Sequence, residues 1–256
     1  MYSIKMKYFS IDLSTINSGL SHQISNLNTL IRYCYKHEYI LILPHFRLYG
    51  VHNNGKEVLT NLSKYINFKT LLVNNKFFEV VMNRDNVDNK DIMHIEAKKY
   101  RLGLLRNDDM FNNLENVPIK FSYNEDILTI GKQISALLGN YLCIHVRRTD
   151  RVTTEQINKD TSPNNILEKI KKYDIKNVYI MTNEEISFFN KLKEQTDYNI
   201  HFFTDFEILR KIKEEDNYFL FCIENIVCDL ADKQISTFKT DRAKYIDYLS
   251  ETKGWQ

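Results

Sequence analysis

Glycine and proline are scarce. Seven glycines and three prolines in 256 residues exclude collagen-like sequence and leave no Gly/Ser-rich or Pro-rich linker. The glycines stand at positions 19, 50, 55, 103, 131, 139 and 254, and neither G-x-G-x-x-G nor the P-loop can be assembled from them. Both common Gly-rich phosphate cradles are therefore missing. Cysteine is sparse too. Cys34, Cys143, Cys222 and Cys228 form no C-x-x-C pair and are too few for a disulfide framework. Two of them sit in apolar runs, so the expected state is buried free thiol. Charge of one sign is not in excess: 35 Lys+Arg against 33 Asp+Glu leave +2, which argues against an electrostatic binder of nucleic acid or membrane surface. No apolar run approaches the ~20 residues of a membrane span, and no signal-peptide core is present. The expected location is cytoplasmic, unless a membrane stem has been trimmed. Asp-x-Asp, H-E-x-x-H and Cys/His clusters are all absent, so no metal or other cofactor is expected.

Aromatic residues are plentiful, with 16 Tyr and 15 Phe in a chain that is 43% hydrophobic; that composition builds a core and excludes disorder. Two stretches of alternating strand and helix pattern flank a less regular middle. In the first, residues 7–13 and 39–43 read as strands around a helix over 19–37, with Leu20, Ile24, Leu27, Leu30, Ile31 and Cys34 at helical spacing. Residues 45–120 are rich in Asn, Lys and Asp and show weak periodicity. The second stretch predicts helices over 124–138, 162–173, 184–195, 218–230 and 240–249, and strands over 141–146, 177–182, 199–205 and 234–237. Ile127, Leu128, Gly131, Ile134, Leu137 and Leu138 share one face of the first of those helices. Such alternation means crossover units and an α/β fold with parallel sheets, in which ligands bind beyond the carboxyl ends of the strands. No internal sequence repeat is visible.

The most unusual local feature follows the apolar strand at 141–146. His145-Val-Arg-Arg-Thr-Asp-Arg151 places three arginines within five residues. Arginine offers a fixed fork of donors and a permanent charge, which suits a diphosphate where no Gly-rich cradle exists. A salt-bridged cluster around Asp150 is the alternative. Asp85, Asp88 and Asp91 lack EF-hand spacing and are read as solvated charge. His201 is read as a core or rim histidine.

The run from His145 to Glu155, HVRRTDRVTTE, resembles the signature of α1,6-fucosyltransferases and the related nodulation and peptide O-fucosyltransferases, differing mainly where Arg151 replaces a Lys and Thr153 a Gly. Three further stretches match in order. Gly19-Leu-Ser-His-Gln23 resembles the first-domain glycine-and-glutamine turn, and VYIMTNEE (178–185) the second motif. Glu224 through Arg242, with its Ala-Asp and Thr-Phe, resembles the third.

The resemblance implies a GT-B-like α/β fold of two Rossmann-like domains facing across a cleft, expected as an acceptor-side domain over 1–120 and a nucleotide-sugar-binding domain over 121–256. It implies inverting, metal-independent transfer of fucose from GDP-fucose to a glycan hydroxyl, with donor and glycan acceptor as the partners. Arg147 and Arg151 would hold the leaving diphosphate, with Arg148 nearby as a donor-side or structural residue, and Glu155 would be the base. His145 and Glu224 would recognise the guanosine. Gly19, Gln23, Asn183, Glu184, Phe238 and Thr240 match further donor-side positions. The chain departs from the family at Asn183-Glu184, where one carboxylate of an acidic pair is lost, and at Lys239-Thr240. Two rivals stand beside this reading: the same scaffold with a rhamnose or xylose donor, and a glycan- or nucleotide-binding module without catalysis.

Overall fold

Asp12 interrupts the first strand. Its carboxylate accepts the Ser14 N–H at 2.8 Å, so the single strand expected over 7–13 becomes Lys7–Ile11 (β1) and Leu13–Ser18 (β2). The computed structural model describes residues 7–88, 91–95, 105, 109–148 and 155–237; the helix expected over 240–249 lies outside them. The chain divides into two units, the boundary falling between Asn124 and Glu125.

In the first unit β1 leads through β2 into helix Leu20–Lys36 (α1) and strand Tyr39–Ile42 (β3). Six further strands and the start of a seventh occupy the stretch read as weakly periodic: Phe46–Leu48 (β4), Val58–Thr60 (β5), Ile66–Val73 (β6), Lys76–Phe77 (β7), Val80–Val81 (β8), Ile92–Ile95 (β9) and Ile119–Tyr123 (β10). Most are too short to display an alternating pattern, and β7 is exposed at both residues. The main sheet is parallel, in the order β8-β3-β1-β9, with Phe9 opposite Leu41. Leu27, Leu30 and Ile31 of α1 are fully buried with Phe9 and Leu41. Two small sheets, β2-β4-β5 and β10-β6-β7, complete this unit.

The second unit runs Glu125–Leu138 (α2), Tyr141–Val146 (β11), Glu155–Asp160 (α3), Pro163–Ile170 (α4), Asn177–Thr182 (β12), Asn190–Glu194 (α5), Asn199–His201 (β13), Glu207–Glu215 (α6), Asn217–Asp229 (α7) and Lys233–Ser236 (β14). Its sheet is parallel throughout, in the order β13-β12-β11-β14. One face, with Leu142, Ile144, Val146, Val178 and Ile180, packs on Ile166, Phe189 and Leu192. Strand parity turns Tyr141, Cys143 and His145 to the other face, where the Tyr141 hydroxyl donates to the Val227 carbonyl of α7. Gly131 lets α2 approach α7: a Cβ there would lie 2.5 Å from Ile226 Cγ2.

Several boundaries differ from expectation for local reasons. Leu137 is 75% exposed and leaves the buried face of α2. Ser162 caps α4 by accepting the Asn165 N–H, with Pro163 in the first turn, and the helix stops at Ile170. The helix expected over 184–195 is a 3-10 turn, Ile186–Phe189, followed by α5. The strand expected over 199–205 ends at His201 because the Asp205 carboxylate accepts the Phe202 N–H at 2.9 Å and closes a turn. The short helix α3 and the charged helix α6 were not anticipated.

Cysteine is the clearest correction. Cys34 and Cys222 are buried free thiols, but a disulfide joins Cys143 to Cys228, 85 residues apart in sequence. Packing of α7 on β11 brings them together, which spacing along the chain does not reveal. Among the described residues no helix is long and apolar enough to cross a membrane.

Candidate functional site at the carboxyl edge of the second sheet

By chain position, both parallel sheets place their strands in the order third, second, first, fourth. The direction of winding reverses between first and fourth, and in open α/β sheets a crevice forms there, beyond the carboxyl ends. In the second unit these strands are β11 and β14, paired in parallel with His145 opposite Ser236. The arginine run leaves β11 at that point. Thr237 ties the two strand ends together: its N–H and its hydroxyl both donate to the His145 carbonyl, at 3.3 and 3.0 Å.

His145 and Glu224 occupy the space between β11 and α7. Two strand residues separate His145 from Cys143, a rise of ~6.6 Å. Glu224 precedes Cys228 by four helical residues, ~6 Å on the same helix face. Because α7 returns from the carboxyl edge to the start of β14, both displacements run toward the carboxyl edge, and the two side chains reach the same level. Burial, and then the neighbouring Arg147 charge, lower the His145 imidazole to about 4, so it is neutral near pH 7. Glu224 is only 5% exposed, and burial raises its carboxyl to about 7 against the opposing pull of the Tyr179 hydroxyl and the Lys213 charge. Tyr179 donates to Glu224 Oε1 at 2.8 Å, the one hydrogen bond Glu224 makes among the described residues. A neutral imidazole, and a buried carboxyl with one oxygen that takes no partner among the described residues, are both groups that can hydrogen-bond a planar heterocycle.

Arg148 does something different from Arg147. Its backbone N–H donates to Asn183 Oδ1 at 2.9 Å, and its Nε donates to Glu184 Oε2 at 3.1 Å. Nη1 reaches Thr161 Oγ1 at 2.6 Å and Nη2 reaches Asn158 Oδ1 at 3.2 Å. The guanidinium also lies 4.1 Å from the centre of the Phe188 ring. At 9% exposure, Arg148 knots the end of β11 to the segment after β12 and to α3 and the start of α4. Asn183 and Glu184, expected at the donor, take part in this knot, and Glu184 Oε1 also accepts the Glu185 N–H. Arg147 is half-buried beside His145.

Glu155 is exposed at the start of α3, three residues before Asn158 and so on the same helix face as a partner of Arg148. Arg151, Phe238 and Thr240 lie outside the described residues. In the first unit Gly19 precedes α1 in extended conformation. Gln23 is fully buried, and its amide N–H groups donate to the Ile16 and Arg47 carbonyls, each at 2.8 Å, while its oxygen accepts from Asn26 at 2.9 Å. Each polar atom of the Gln23 side chain thus has a hydrogen-bond partner within the unit. Tyr179 and Thr237 were missed. Tyr179 is fully buried and reads from sequence as an ordinary core aromatic, and Thr237 stood beside Phe238 in the third motif. Among the described residues no group of three or more His, Cys, Asp or Glu is placed to hold a metal ion.

These features define a two-domain α/β protein with a candidate ligand site at the switch point of its second sheet. Solved structures share that architecture. POFUT1 in complex with GDP is matched with a TM-score of 0.54 at 9% identity, over 98% of this chain and 96% of that one. The NodZ alpha-1,6-fucosyltransferase soaked with GDP-fucose is matched with a TM-score of 0.53 at 9% identity, over 95% and 92%. The fold is therefore GT-B-like, with two α/β domains on parallel sheets. No protein-family model matches the chain, and no curated protein matches it in sequence.

Proposed function

We propose that the chain is an inverting, metal-independent glycosyltransferase that moves fucose from GDP-fucose to a glycan hydroxyl. The observation carrying this reading is the set of groups toward the carboxyl edge of the second sheet: neutral His145 with the Arg147 cation beside it, and buried Glu224 with one oxygen uncommitted among the described residues. His145 and Glu224 suit a guanine edge, and Arg147 suits the diphosphate. The likeness in fold to proteins solved with GDP and with GDP-fucose supports the same donor class.

Glu155 accepts the proton of the acceptor hydroxyl as its oxygen attacks the anomeric carbon. The bond from that carbon to the β-phosphate oxygen breaks, and GDP leaves with the electron pair, its charge offset by Arg147 and Arg151. Arg148, Asn183 and Glu184 tie the end of β11 to α3 and to the segment after β12. Calorimetric titration with GDP-fucose, GDP-mannose, UDP-xylose and UDP-glucose tests the reading. Preference for the guanosine donors, with GDP-fucose the tightest, is the expected result. Preference for either UDP-sugar, or no binding of any donor, refutes it.

A further inference from the structure

The first unit carries an open groove that the donor site does not use. Ser25, Thr29, Arg32 and Lys36 recur along α1 at helical spacing, so they form one stripe. That stripe walls two adjoining cavities of about 540 and 260 Å³, with Arg32 lining both. The twelve helical residues from Ser25 to Lys36 give it a length of ~16 Å, the reach of a short oligosaccharide.

The lining is mixed in a particular way. In the smaller cavity Ser25, Thr29, Asn112, Asn113 and Asn116 supply neutral hydroxyls and amides, of which Thr29 donates to the Ser25 carbonyl, Asn112 to Asp109 and Asn113 to Asn112. In the larger one Tyr35, Tyr39 and Phe78 supply aromatic surface. The charges there cancel, Arg32 and Lys36 against Glu38 and Glu115, so neither an anion nor a cation is favoured. Aromatic faces with neutral and paired polar groups around them match the apolar C–H face and hydroxyl rim of a pyranose.

Two further observations set this groove apart. The larger cavity lies where α1 ends and β3 begins, at the amino edge of the parallel sheet, the edge opposite the one where such sheets hold nucleotides. Glu38, on its wall, has φ +57°, a left-handed conformation that glycine adopts freely and glutamate does not. It is the residue by which the chain leaves α1, its N–H donating to the Tyr35 carbonyl, and it places a carboxylate at the groove.

We propose that this groove is an accessory subsite for a neutral oligosaccharide. Its role in transfer rests on the glycosyltransferase reading; its binding chemistry does not. The full chain is applied to an array of neutral and anionic oligosaccharides, and hits are titrated by calorimetry beside GDP. Neutral oligosaccharides are expected to bind, with Tyr35→Ala and Glu115→Gln each weakening them on the order of tenfold through lost stacking or a lost charge-assisted bond and leaving GDP affinity unchanged. The exposed Glu115 keeps the test valid if Tyr35→Ala fails to fold. No glycan binding, binding of anionic glycans alone, or affinities equal to wild type in both variants overturns the proposal. Failure of GDP to bind would instead remove the donor reading, so the two outcomes are distinguishable.

Discussion

The two units solve the same topological problem with opposite chemistry. Each winds a parallel sheet in the same strand order, yet the residues gathered around that sheet differ. In the second unit the knot is ionic: Arg148 is held by Glu184, Asn158 and Thr161 next to Arg147 and His145. In the first unit the corresponding tie is neutral. Gln23 binds the β2 and β4 carbonyls and Asn26, and Asn26 Oδ1 accepts the Leu105 N–H at 3.0 Å. The difference teaches that strand order sets where a site forms, while side chains set what it binds.

The largest expected effect isolates chemistry from either architecture. Glu155→Gln preserves shape and leaves both ties intact, so donor affinity stays near wild type while turnover falls by ~10²–10⁴-fold. Equal turnover of the variant and wild type would assign the base elsewhere. Breaking the ionic tie comes next. Arg148→Ala leaves the partly buried Glu184 carboxylate unpaired and is expected to cost ~3–5 kcal/mol in urea unfolding. Gln23→Ala strips the partners from two carbonyls in the neutral tie and is expected to cost less, ~1–3 kcal/mol. If Gln23→Ala proves the more damaging of the two, the ranking of the ties is wrong.

The smallest effect is a pair of opposed pH slopes within the second unit. Between pH 4.5 and about 7 the unfolded chain gives up a proton that buried Glu224 keeps, so stability falls as pH rises. Between about pH 4 and 6.5 the unfolded chain binds a proton that His145 does not, so stability rises with pH. The two oppose each other where these ranges overlap. Unfolding midpoints of Glu224→Gln should therefore rise more steeply with pH there than wild type, and those of His145→Gln should fall. Variant curves parallel to wild type would show that neither group has the shifted proton affinity described.

Much of the second unit was legible because its strands are apolar on both faces and its helices carry plain stop signals, as at Gly139, which takes φ +69°. The first unit resisted because its middle strands are short and its helix buries polar residues. Ser25, Asn26, Asn28 and Thr29 are all buried in α1, where hydrophobic periodicity gives no warning. The repeated strand order was invisible because it lives in topology; the sequence contains no repeat. At the site, the arginine run announced itself, and the resemblance already separated Arg147, toward the phosphate, from Arg148, nearby and structural; the partners of Arg148 could not be read from the sequence. The Cys143–Cys228 bond and the Tyr179–Glu224 contact likewise depend on α7 packing over the sheet, a long-range event with no local signature.

The central claim is that Arg147, at the switch point of the second sheet, holds a nucleoside diphosphate. Titration of GDP into wild type and Arg147→Ala, with thermal unfolding of both as a control, tests it most directly. The account predicts GDP binding by wild type and a loss of roughly tenfold to a few hundredfold in Arg147→Ala, the worth of one or two charge-assisted bonds, at an unchanged melting temperature. Equal GDP affinity in the two proteins, or no GDP binding by wild type, would contradict it.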